Sequence, residues 1–361
     1  MRPNPKILFL CPYPVGHSPS QRFRFEQYFE ILRAEGFQIT ISPFLSVKGW
    51  QVLYKRGNFF TKLAVITRGY LLRCAQLFTL PSYQWVFIHR EAAPLGPPVF
   101  EWVISKVFRK KIIYDFDDAI WLPNTSGVNK IAAFLKWHGK VKHICRWSYK
   151  VSAGNHYLCE YAADWGKQVV YNPTTIDTEN LHNPTHYPVK NKTGIRLGWT
   201  GSHSTLKYLN PLASVFEQLQ SEFPNLTLRV IADVPPQLNL KFIEFVAWNK
   251  ETEMEDLLQV DIGLMPLTDD AWAKGKCGFK ALQYLALGIP AVVSPVGVNT
   301  TIVTQGINGF VCSTDEEWLT HLRTLISDTG MRKQMGLEGR KTVEAHYSVR
   351  SNTSTFVGLF R

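Results

Sequence analysis

Short apolar runs alternate with amphipathic stretches along the first half of the chain, and each apolar run ends in a turn. The first run, residues 6–12, is followed by Pro14 and Gly16, which is typical of the first strand of a parallel sheet. The next amphipathic stretch predicts a helix at about 21–35, closed by Gly36, so the chain begins with a β-α-β unit. The same patterns predict strands at residues 37–44, 85–89, 111–114, 148–152 and 168–171 and a helix at 99–108.

The alternation starts again after residues 178–194, which are polar, contain prolines and are predicted to be a linker. Two successive sets of strands and helices predict an α/β protein with two Rossmann-like domains that face each other across a cleft. The patterns of the second half predict strands at 195–199, 226–232, 242–246, 261–265 and 291–294, helices at 207–219 and 279–287, and a helical tail from residue 316. The predicted division is an N-terminal domain at 1–177, the linker, a C-terminal domain at 195–345, and a tail at 346–361 that could return to the N-terminal domain.

Length and composition agree with two packed domains. At 361 residues the chain is longer than one typical domain, and its hydrophobic content of 45% and charged content of 19% favour a packed core over disorder. No run reaches the roughly 18–20 apolar residues that a membrane-spanning helix needs, and the first residues do not resemble a signal peptide. The six cysteines are scattered without a C-x-x-C pair, which argues against zinc and disulfides and favours a reducing cytosol.

The net charge of +11 is unevenly distributed. Residues 1–190 contain 24 Lys and Arg and 12 Asp and Glu, a net charge of +12, whereas the remainder contains 16 and 17, a net charge of −1. A basic half indicates an anionic partner, which could be a phosphorylated substrate, a membrane surface or nucleic acid, unless the surface is basic only for solubility. No helix-turn-helix, RNA-binding or zinc signature supports nucleic acid.

Residues 45–80 interleave aromatic and basic side chains and contain no Asp or Glu. Such amphipathic segments bind well at an anionic lipid interface. The alternative, given equal weight, is a pair of amphipathic helices that cover the sheet and extend their cationic ends into solvent. The residues that form the pattern are Trp50, Tyr54, Phe59, Phe60, Tyr70 and Phe78, with Lys48, Lys55, Arg56, Lys62, Arg68 and Arg73.

Charged residues follow the predicted strands of the N-terminal domain, at the edge where parallel sheets bind ligands. Arg22 and Arg24 lie at the start of the first helix and could hold a phosphate, or they could be solvated on an exposed face. The strand at 111–114 leads into Asp115-Phe116-Asp117-Asp118, where acids could serve chemistry or bind sugar hydroxyls. An Asp-x-Asp can also hold a metal bound to a diphosphate, and the simplest alternative is that these acids cap a helix.

A basic loop precedes the helix at 279–287. Lys274-Gly275-Lys276-Cys277-Gly278 leads into this helix, which carries Lys280 in its first turn. Free N–H groups at a helix N-terminus, the positive end of the helix dipole and nearby lysines suit a phosphate. An ordinary loop and helix with solvated lysines is given about equal weight.

These motifs together resemble a known family. The segments G-W-T-G-S-H-S-T-L-K, D-I-G-L-M-P-L, F-K-A-L-Q-Y-L-A-L-G-I-P-A-V-V and G-I-N-G-F-V lie within residues 196–310 in the order and spacing of retaining GT-B-fold glycosyltransferases of family 4. P-S-Q-R-F-R, H-R-E-A-A-P-L-G and D-F-D-D-A-I-W extend the similarity into the first half and are similar to a branch that acts on bacterial surface polysaccharide.

The resemblance implies a retaining glycosyltransferase of the GT-B fold. The C-terminal domain would bind a nucleotide-diphosphate sugar of the UDP or GDP type, and the N-terminal domain a glycan or polyprenyl-diphosphate-linked acceptor. No cofactor or metal would be required, because lysines would take the place of a metal. The protein would be cytoplasmic, could be peripheral on the inner face of the plasma membrane, and would serve exopolysaccharide or cell-envelope synthesis.

When the family's functional positions are compared one by one with this sequence, some residues match and others differ. Gly201 and Lys207 match the family's loop after the first strand of the C-terminal domain, whereas Ser202 stands where the family has arginine. Gly275 and Gln283 stand at the positions of the family's paired glutamates. Gln283 can still hydrogen-bond the ribose hydroxyls, more weakly because it is neutral, whereas Gly275 cannot contact the donor sugar.

Lys280, three residues before Gln283, is expected on the diphosphate, and Asp117 stands where the family has a histidine that contacts the donor sugar. The residues expected to be catalytic are Asp117, Asp118, Lys207 and Lys280. The expected donor-binding residues are Gly201, Ser202, Ser204, Thr205, Lys276, Cys277, Gly278, Phe279 and Gln283. The expected acceptor-binding residues are Ser20, Arg22, Arg24, His89, Arg90 and Glu91.

In the expected reaction, cations and helix-end N–H groups stabilise the departing diphosphate, and a carboxylate of the N-terminal domain orients the acceptor hydroxyl. Retention in this group proceeds on one face without an enzyme nucleophile. Two alternatives stay open: a UDP-sugar 2-epimerase, which shares the fold and the nucleotide site, and a non-catalytic sugar-nucleotide-binding partner, because both glutamates are missing.

Overall fold

The structure is a computed structural model. The residues it describes are 4–53, 57–123, 136–188 and 193–361. Tyr54, Lys55 and Arg56 of the aromatic and basic segment, and residues 189–192 of the predicted linker, lie outside this description. Within the described ranges, no helix combines the length and the apolar character needed to cross a bilayer.

The chain forms two compact units. Unit 1 is Met1–Thr174 together with Asn352–Arg361, and unit 2 is Thr175–Ser351. Each unit is built on one six-stranded sheet in which neighbouring strands are parallel. The predicted α/β fold with two Rossmann-like units is therefore confirmed.

The sheet of unit 1 contains every strand predicted for the first half. The strands are β1 (Lys6–Cys11), β2 (Gln38–Pro43), β3 (Trp85–His89), β4 (Lys111–Phe116), β5 (Lys150–Ala153) and β6 (Val169–Tyr171). Their order in the sheet is β2-β1-β3-β4-β5-β6. The strands β1, β3 and β4 are buried along nearly their whole length, which explains their continuous apolar runs.

One of the two helices predicted for unit 1 is broken, whereas the other, at 99–108, is present as an α-helical turn that continues as a π-helix at Val103–Val107. The helices of unit 1 are α1 (Pro19–Arg22), α2 (Phe29–Ala34), α3 (Val47–Leu53), α4 (Phe59–Thr79), α5 (Val99–Trp102), α6 (Lys140–Trp147) and α7 (His156–Ala163). The single helix predicted at 21–35 is wrong, because a 3₁₀ turn at Glu26–Tyr28 separates α1 from α2. Phe23, Arg24 and Phe25 are all buried, and a regular helix cannot turn three consecutive side chains inward.

Unit 2 repeats the six-stranded architecture and contains one strand that the sequence did not predict. Its strands are β7 (Ile195–Gly201), β8 (Leu226–Ala232), β9 (Ile243–Ala247), β10 (Ile262–Met265), β11 (Ala291–Val293) and β12 (Gly309–Val311). They are arranged in the order β12-β11-β10-β7-β8-β9. The strand β12 was not predicted from the sequence.

Close backbone approaches fix the position of one helix of unit 2, Phe279–Ala286, against its sheet. A side chain at Gly263 of β10 would collide with the Tyr284 ring at 2.2 Å, and a side chain at Gly336 would meet the carbonyl oxygen of Gly288 at 1.9 Å. The helices of unit 2 are α8 (Ala213–Glu222), α9 (Glu253–Leu257), α10 (Ala271–Lys274), α11 (Phe279–Ala286), α12 (Asn299–Ile302), α13 (Asp315–Ser327) and α14 (Thr329–His346).

The helix predicted at 207–219 forms later than expected. Residues Leu206–Leu212 are a 3₁₀ helix that contains Pro211, and α8 follows it. Proline lacks an N–H group and its ring crowds the carbonyl four residues earlier, so a regular α-helix is disfavoured until the chain has passed this position. Lys207 therefore lies in a tight 3₁₀ turn.

Part of the predicted linker is integrated into unit 2. Thr178 and His182 are buried. The guanidinium group of Arg340 donates hydrogen bonds to the carbonyl oxygens of Thr178, His182 and Ala286 at 2.9, 3.0 and 2.6 Å. These bonds attach the segment to α14 and to the end of α11.

The last helix, α15 (Val349–Gly358), contains the return from unit 2 to unit 1. Phe356 stacks on Tyr28 with ring centroids 4.2 Å apart, and Phe360 lies 6.1 Å from Phe9 and 6.2 Å from Phe87. The end of the chain therefore completes the aromatic core of unit 1.

Candidate active site

The loop after β7 is held by its own hydroxyl groups. Ser202 N donates to Thr205 Oγ1 at 3.2 Å, Thr205 Oγ1 donates to the Ser202 carbonyl oxygen at 3.0 Å, and the hydroxyls of Ser202 and Ser204 lie 2.9 Å apart. A side chain at Gly201 would lie 2.4 Å from the Trp199 ring and 2.8 Å from Thr205 Oγ1. The turn thus brings four predicted donor-binding residues to the carboxyl end of β7.

The same loop is anchored by a residue that the sequence analysis missed. Asp233, directly after β8, accepts hydrogen bonds from His203 N and pairs with His203 Nδ1, both at 2.6 Å. An acid immediately after a predicted strand was the signal that could have identified it.

Three lysines lie beside aromatic rings at this end of β7. Lys207 Nζ is 5.3 Å and Lys276 Nζ is 5.9 Å from the centroid of the Tyr208 ring. Lys280 Nζ is 5.2 Å from the centroid of the Trp199 ring, and Trp199 belongs to β7. The electron-rich ring faces favour cations at these distances. We call Lys207, Lys276 and Lys280 the lysine cluster.

Two carboxylates accompany the lysine cluster. Lys274 pairs with Asp269 at 3.1 Å, and Asp270 caps α10 by accepting a hydrogen bond from Ala273 N at 2.8 Å. Partial burial disfavours the charged form of Asp270, but its hydrogen bonds, above all that from Thr268, and the charge of Lys207 outweigh this and lower its pKa.

The N-terminus of α11 has the features expected of an anion site. Gly278 has a φ of +70°, and a side chain there would lie 2.2 Å from Ile302. The first turn carries no acidic residue, and Phe279 is half-buried. The side chain of Cys277 is buried, with Sγ 3.9 Å from the Gly275 carbonyl oxygen.

Gln283 does not lie where the sequence analysis expects it. Its side chain is buried, with Nε2 3.3 Å from Glu253 Oε1 and 3.4 Å from His182 Nε2. Position 283 thus faces α9 and the segment before β7, because it lies one turn beyond the N-terminus of α11. The prediction that Gln283 binds ribose is not supported by this placement.

In unit 1 the ends of β3 and β4 bring together an arginine and two acids. Arg90 Nε donates to Asp117 Oδ1 at 2.9 Å, and Arg90 Nη2 pairs with Asp118 Oδ2 at 2.6 Å. Arg90 has a φ of 60°, an uncommon conformation for a residue with a side chain, and its carbonyl oxygen accepts a hydrogen bond from Tyr114 Oη at 2.7 Å. Two predicted catalytic residues and one predicted acceptor-binding residue are therefore neighbours.

A buried ionic network lies behind this cluster. Asp115 pairs with Arg24 at 2.5 Å and with His89 Nδ1 at 2.8 Å, and it accepts a hydrogen bond from Ser152 Oγ at 2.6 Å. Burial disfavours the charged carboxylate, but Arg24 and His89 more than offset this, so the pKa of Asp115 lies well below its usual range. Among the described residues His89 Nε2 finds no hydrogen-bond partner, and it lies 4.0 Å from Asp117 Oδ1.

Several predicted acceptor contacts are therefore corrected. Arg24 is buried with its charge matched by Asp115, so it cannot bind a phosphate at the surface. Arg22 is also buried and packs over the Phe23 ring at 4.8 Å. Arg22 is the last residue of α1 and Arg24 lies in the irregular stretch that follows it, where side chains turn inward.

Two other predicted acceptor residues are nearer the surface. Ser20 is half-buried, and its Oγ lies 2.9 Å from Ser18 Oγ. Glu91 pairs with Lys140 at 2.6 Å. Across the described ranges, no group of three or more His, Cys, Asp or Glu is arranged to hold a metal ion. Metal independence stays a prediction.

Known proteins match the chain in sequence over unit 2 and in structure over its whole length. Residues 194–328 match the family described as "Glycosyl transferases group 1". A glycosyltransferase from Rickettsia africae is 12% identical with a TM-score of 0.70, over 100% of this chain and 98% of that one. Sucrose-phosphate synthase from Thermosynechococcus elongatus is 14% identical with a TM-score of 0.68, over 99% and 98%.

Anabaena Alr3699/HepE, solved with UDP-glucose, is 15% identical with a TM-score of 0.65, over 98% of each chain. No curated protein sequence matches the chain.

The two parallel sheets and these structural matches define a protein of the GT-B fold, the two-domain fold of nucleotide-sugar glycosyltransferases. Within unit 2, residues 194–328 are similar in sequence to the group 1 glycosyltransferases.

Proposed function

We propose that the protein is a retaining glycosyltransferase that moves a hexose from a nucleotide-diphosphate sugar to a hydroxyl of a glycan or lipid-linked acceptor. The donor would be of the UDP or GDP type. UDP-glucose is the first donor to test, because Alr3699/HepE was solved with it. The acceptor would belong to bacterial exopolysaccharide or cell-envelope synthesis, as the resemblance of the N-terminal motifs suggests.

The observation that carries this proposal is the lysine cluster at the carboxyl end of β7. Lys207 and Lys276 share the Tyr208 ring, and Lys280 lies on Trp199. The carboxyl ends of parallel strands are where open α/β sheets bind ligands. Three ammonium groups beside the N-terminus of α11 would offset the charge of a diphosphate.

The proposed chemistry assigns one task to each unit. When the bond between the anomeric carbon and the diphosphate breaks, its electron pair goes to the departing oxygen, and the lysine cluster stabilises the charge. In unit 1, Asp117 or Asp118 would orient the acceptor hydroxyl for attack. Arg90 holds both carboxylates in place.

A lipid-linked acceptor is proposed because the outer face of α4 is apolar. Phe60, Leu63, Leu71 and Phe78 are 82%, 52%, 65% and 86% exposed, and we call them the α4 stripe. Their helical spacing places them on one side of a helix about 30 Å long. Polar Arg73 points the other way, where it donates to Ser42 Oγ at 2.9 Å and to the Ala92 carbonyl oxygen at 2.7 Å.

The α4 stripe suits the surface of an anionic membrane. The segment 45–80 contains six cations and no acid. On its inner side, Trp50, Val65, Ile66 and Tyr70 pack against unit 1, as the covering-helix alternative predicts. A helix that packs on one side and exposes a long apolar row on the other can lie in the lipid interface. We propose peripheral attachment to the cytoplasmic face of the plasma membrane.

Donor turnover tests the proposal directly. Purified protein would be incubated with UDP-glucose, and UDP release would be measured with and without glycan acceptors and with EDTA. Lys207→Ala and Lys280→Ala should each lower kcat by about 10²-fold or more, because each removes a charge from the leaving group. Lys333→Ala, an exposed lysine of α14, is the matched control.

Three outcomes would contradict the proposal. Loss of turnover in EDTA would favour a metal at Asp117 and Asp118. Formation of a 2-epimerised sugar without acceptor would identify an epimerase. A thermal shift with UDP and with other nucleotides, but neither transfer nor hydrolysis of any nucleotide-sugar, would identify a non-catalytic binding partner.

A further inference from the structure

Unit 1 has a second surface feature that the proposed function does not use. Between α5 and α6 lies an open cavity of about 260 Å³. We call it the Trp pocket. Its lining is Pro97, Pro98, Val99, Trp102, Trp137, His143 and Trp147. Trp102 and Trp137 are 45% and 47% exposed, which is unusual for large apolar side chains that have a core available to them.

The Trp pocket is uncharged inside. Its polar groups are the indole N–H groups and the imidazole of His143, whose ring centroid lies 5.8 Å from that of Trp147. Partial burial, with Lys142 and Arg146 nearby, lowers the pKa of His143, so its ring is neutral at neutral pH. A sugar ring would find few partners for its hydroxyls there, whereas a hydrocarbon chain requires none.

The helical segments that contribute to this apolar lining are basic. The stretches 99–111 and 136–150 contain a single acid, Glu101, which is buried and accepts a hydrogen bond from Ala92 N at 2.9 Å. Lys106 and Arg146 are exposed on the same two helical segments, and the Arg146 guanidinium lies over the Trp165 ring at 4.4 Å. Lys142 and Arg146 are close enough to act on His143 of the lining, and cations near an apolar pocket suit an amphiphile with an anionic head.

The Trp pocket also lies beside α4 and beside the predicted acceptor-binding residues. Tyr70 of α4 donates a hydrogen bond to the Leu95 carbonyl oxygen, and its ring lies 6.1 Å from Phe100 of α5. The loop that begins at Arg90 ends at the pocket wall. Lys140, the first residue of α6, binds this loop through Glu91 at 2.6 Å and through the Ala93 carbonyl oxygen at 3.0 Å.

We propose that the Trp pocket holds the isoprenoid chain of a polyprenyl-phosphate-linked acceptor, close to its phosphate end. The proposal rests on the proposed function, since it specifies the lipid of that acceptor. The volume of the pocket is slightly below the roughly 300–1,000 Å³ of typical ligand sites, so it receives only the part of the chain nearest the head group. The rest of the chain remains in the bilayer.

Binding of short isoprenoid phosphates tests the proposal without knowledge of the acceptor. Farnesyl phosphate, below its aggregation concentration, would be titrated calorimetrically against the full chain, with isopentenyl phosphate, dodecyl phosphate and inorganic phosphate as comparisons. Farnesyl phosphate should bind at least tenfold more tightly than isopentenyl phosphate, because a buried methylene group contributes about fourfold. It should also bind more tightly than dodecyl phosphate.

Amino-acid substitutions show where on the protein farnesyl phosphate binds. Trp102→Ala with Trp137→Ala should weaken farnesyl phosphate at least tenfold, and Val99→Arg, at a position 53% exposed, should do the same without removing any packing. Leu337→Ala, at an exposed leucine of unit 2, should leave this binding unchanged. All three should keep the thermal shift with UDP, which reports a folded unit 2, and the circular dichroism of the wild type.

Three results would overturn the proposal. Equal affinity for isopentenyl and farnesyl phosphate would mean that only phosphate binds. Equal affinity for dodecyl and farnesyl phosphate would identify an acyl-lipid site. Unchanged affinity in the Val99→Arg variant would place the ligand elsewhere. If the protein does not turn over UDP-glucose, the binding experiment still tests the Trp pocket. If it turns over UDP-glucose but does not bind farnesyl phosphate, the proposal for the Trp pocket is rejected and the proposed glycosyltransferase function stands.

Discussion

Gln283 is the residue at which the family pattern and the geometry disagree most clearly. If position 283 only lacked its usual glutamate, Gln283→Glu would strengthen nucleotide binding. The structure predicts the opposite, because Gln283 Nε2 is 3.3 Å from the buried Glu253 Oε1. A second carboxylate at that distance cannot stay ionised in the interior. We expect Gln283→Glu to lower the free energy of unfolding by about 1–3 kcal/mol and to weaken the thermal shift with UDP.

The matched comparison for this prediction is Gln283→Glu combined with Glu253→Gln, which restores one amide and one carboxylate. Recovery of the melting temperature in the double variant would show that the two charges repel each other. Tighter UDP binding by the single variant would instead support a ribose contact at this position.

The second prediction at this scale concerns Asp115. Asp115→Asn leaves Arg24 buried without its partner, which typically costs about 3–5 kcal/mol. Because the pKa of Asp115 is lowered in the folded state, the stability that it contributes is present above its unfolded pKa of about 4 and is lost as the pH falls towards the lowered value.

Hydrogen exchange in peptides of unit 1 measures this effect without averaging over unit 2. At neutral pH, the Asp115→Asn variant should show less protection than the wild type. Below a pH of about 4, acid should reduce the protection of the variant less than that of the wild type. The control is Asp164→Asn, an exposed carboxylate of the same unit. Equal protection in the two variants would mean that the network does not stabilise unit 1.

Residue roles were harder to predict than residue positions. The sequence placed Asp117, Asp118 and Arg90 at neighbouring strand ends, and the structure brings these three together. It could not show that Arg24 is buried, because an arginine at a predicted helix start looks exposed until its carboxylate, 91 positions away along the chain, is known. Long-range charge pairing leaves no local signal in one sequence.

At the scale of elements, α4 makes the most direct prediction. Phe60→Ser, Leu71→Ser and Phe78→Ser together should weaken binding to vesicles that contain phosphatidylglycerol, by roughly tenfold for each side chain that enters the lipid. Binding to pure phosphatidylcholine should be weaker for all proteins, because the cations of segment 45–80 add about 1 kcal/mol each only near an anionic surface.

Leu337→Ser, an equally exposed leucine of unit 2, is the control for vesicle sedimentation. No difference between the triple variant and this control would reject the membrane role of α4. A concentration-dependent dimer in light scattering that disappears in the triple variant would identify a second copy of the chain as the partner instead.

Elements with clear periodicity were predicted, and those without it were not. The eleven predicted strands are present because parallel strands buried on both faces are short apolar runs. The strand β12 was not predicted, and the break between α1 and α2 was missed because one inward turn does not alter an amphipathic average. For segment 45–80 the sequence left the lipid-facing and the sheet-covering alternatives open, because periodicity reveals an apolar face but not which way that face points.

At the scale of the whole molecule, the end of the chain belongs to the unit in which the chain begins. Phe356, Leu359 and Phe360 are buried in unit 1, and Phe356 and Phe360 pack against Phe87. Deletion of residues 352–361 should therefore destabilise unit 1 by several kcal/mol, since removal of even one buried Phe side chain costs about 3–5 kcal/mol. Unit 2 retains its sheet, its lysine cluster and its core.

The truncated protein should lose hydrogen-exchange protection in peptides of β1 and β3 while those of β7 and β10 keep theirs. It should still show a thermal shift with UDP, because the lysine cluster and α11 lie in unit 2. Arg361→Ala, which removes only an exposed pair with Glu35, is the matched control. Uniform loss of protection in both units would mean that they unfold as one, and no loss in either would mean that α15 contributes little to the core of unit 1. The selective loss is expected because the aromatic contacts of α15 are all with unit 1 among the ring pairs described.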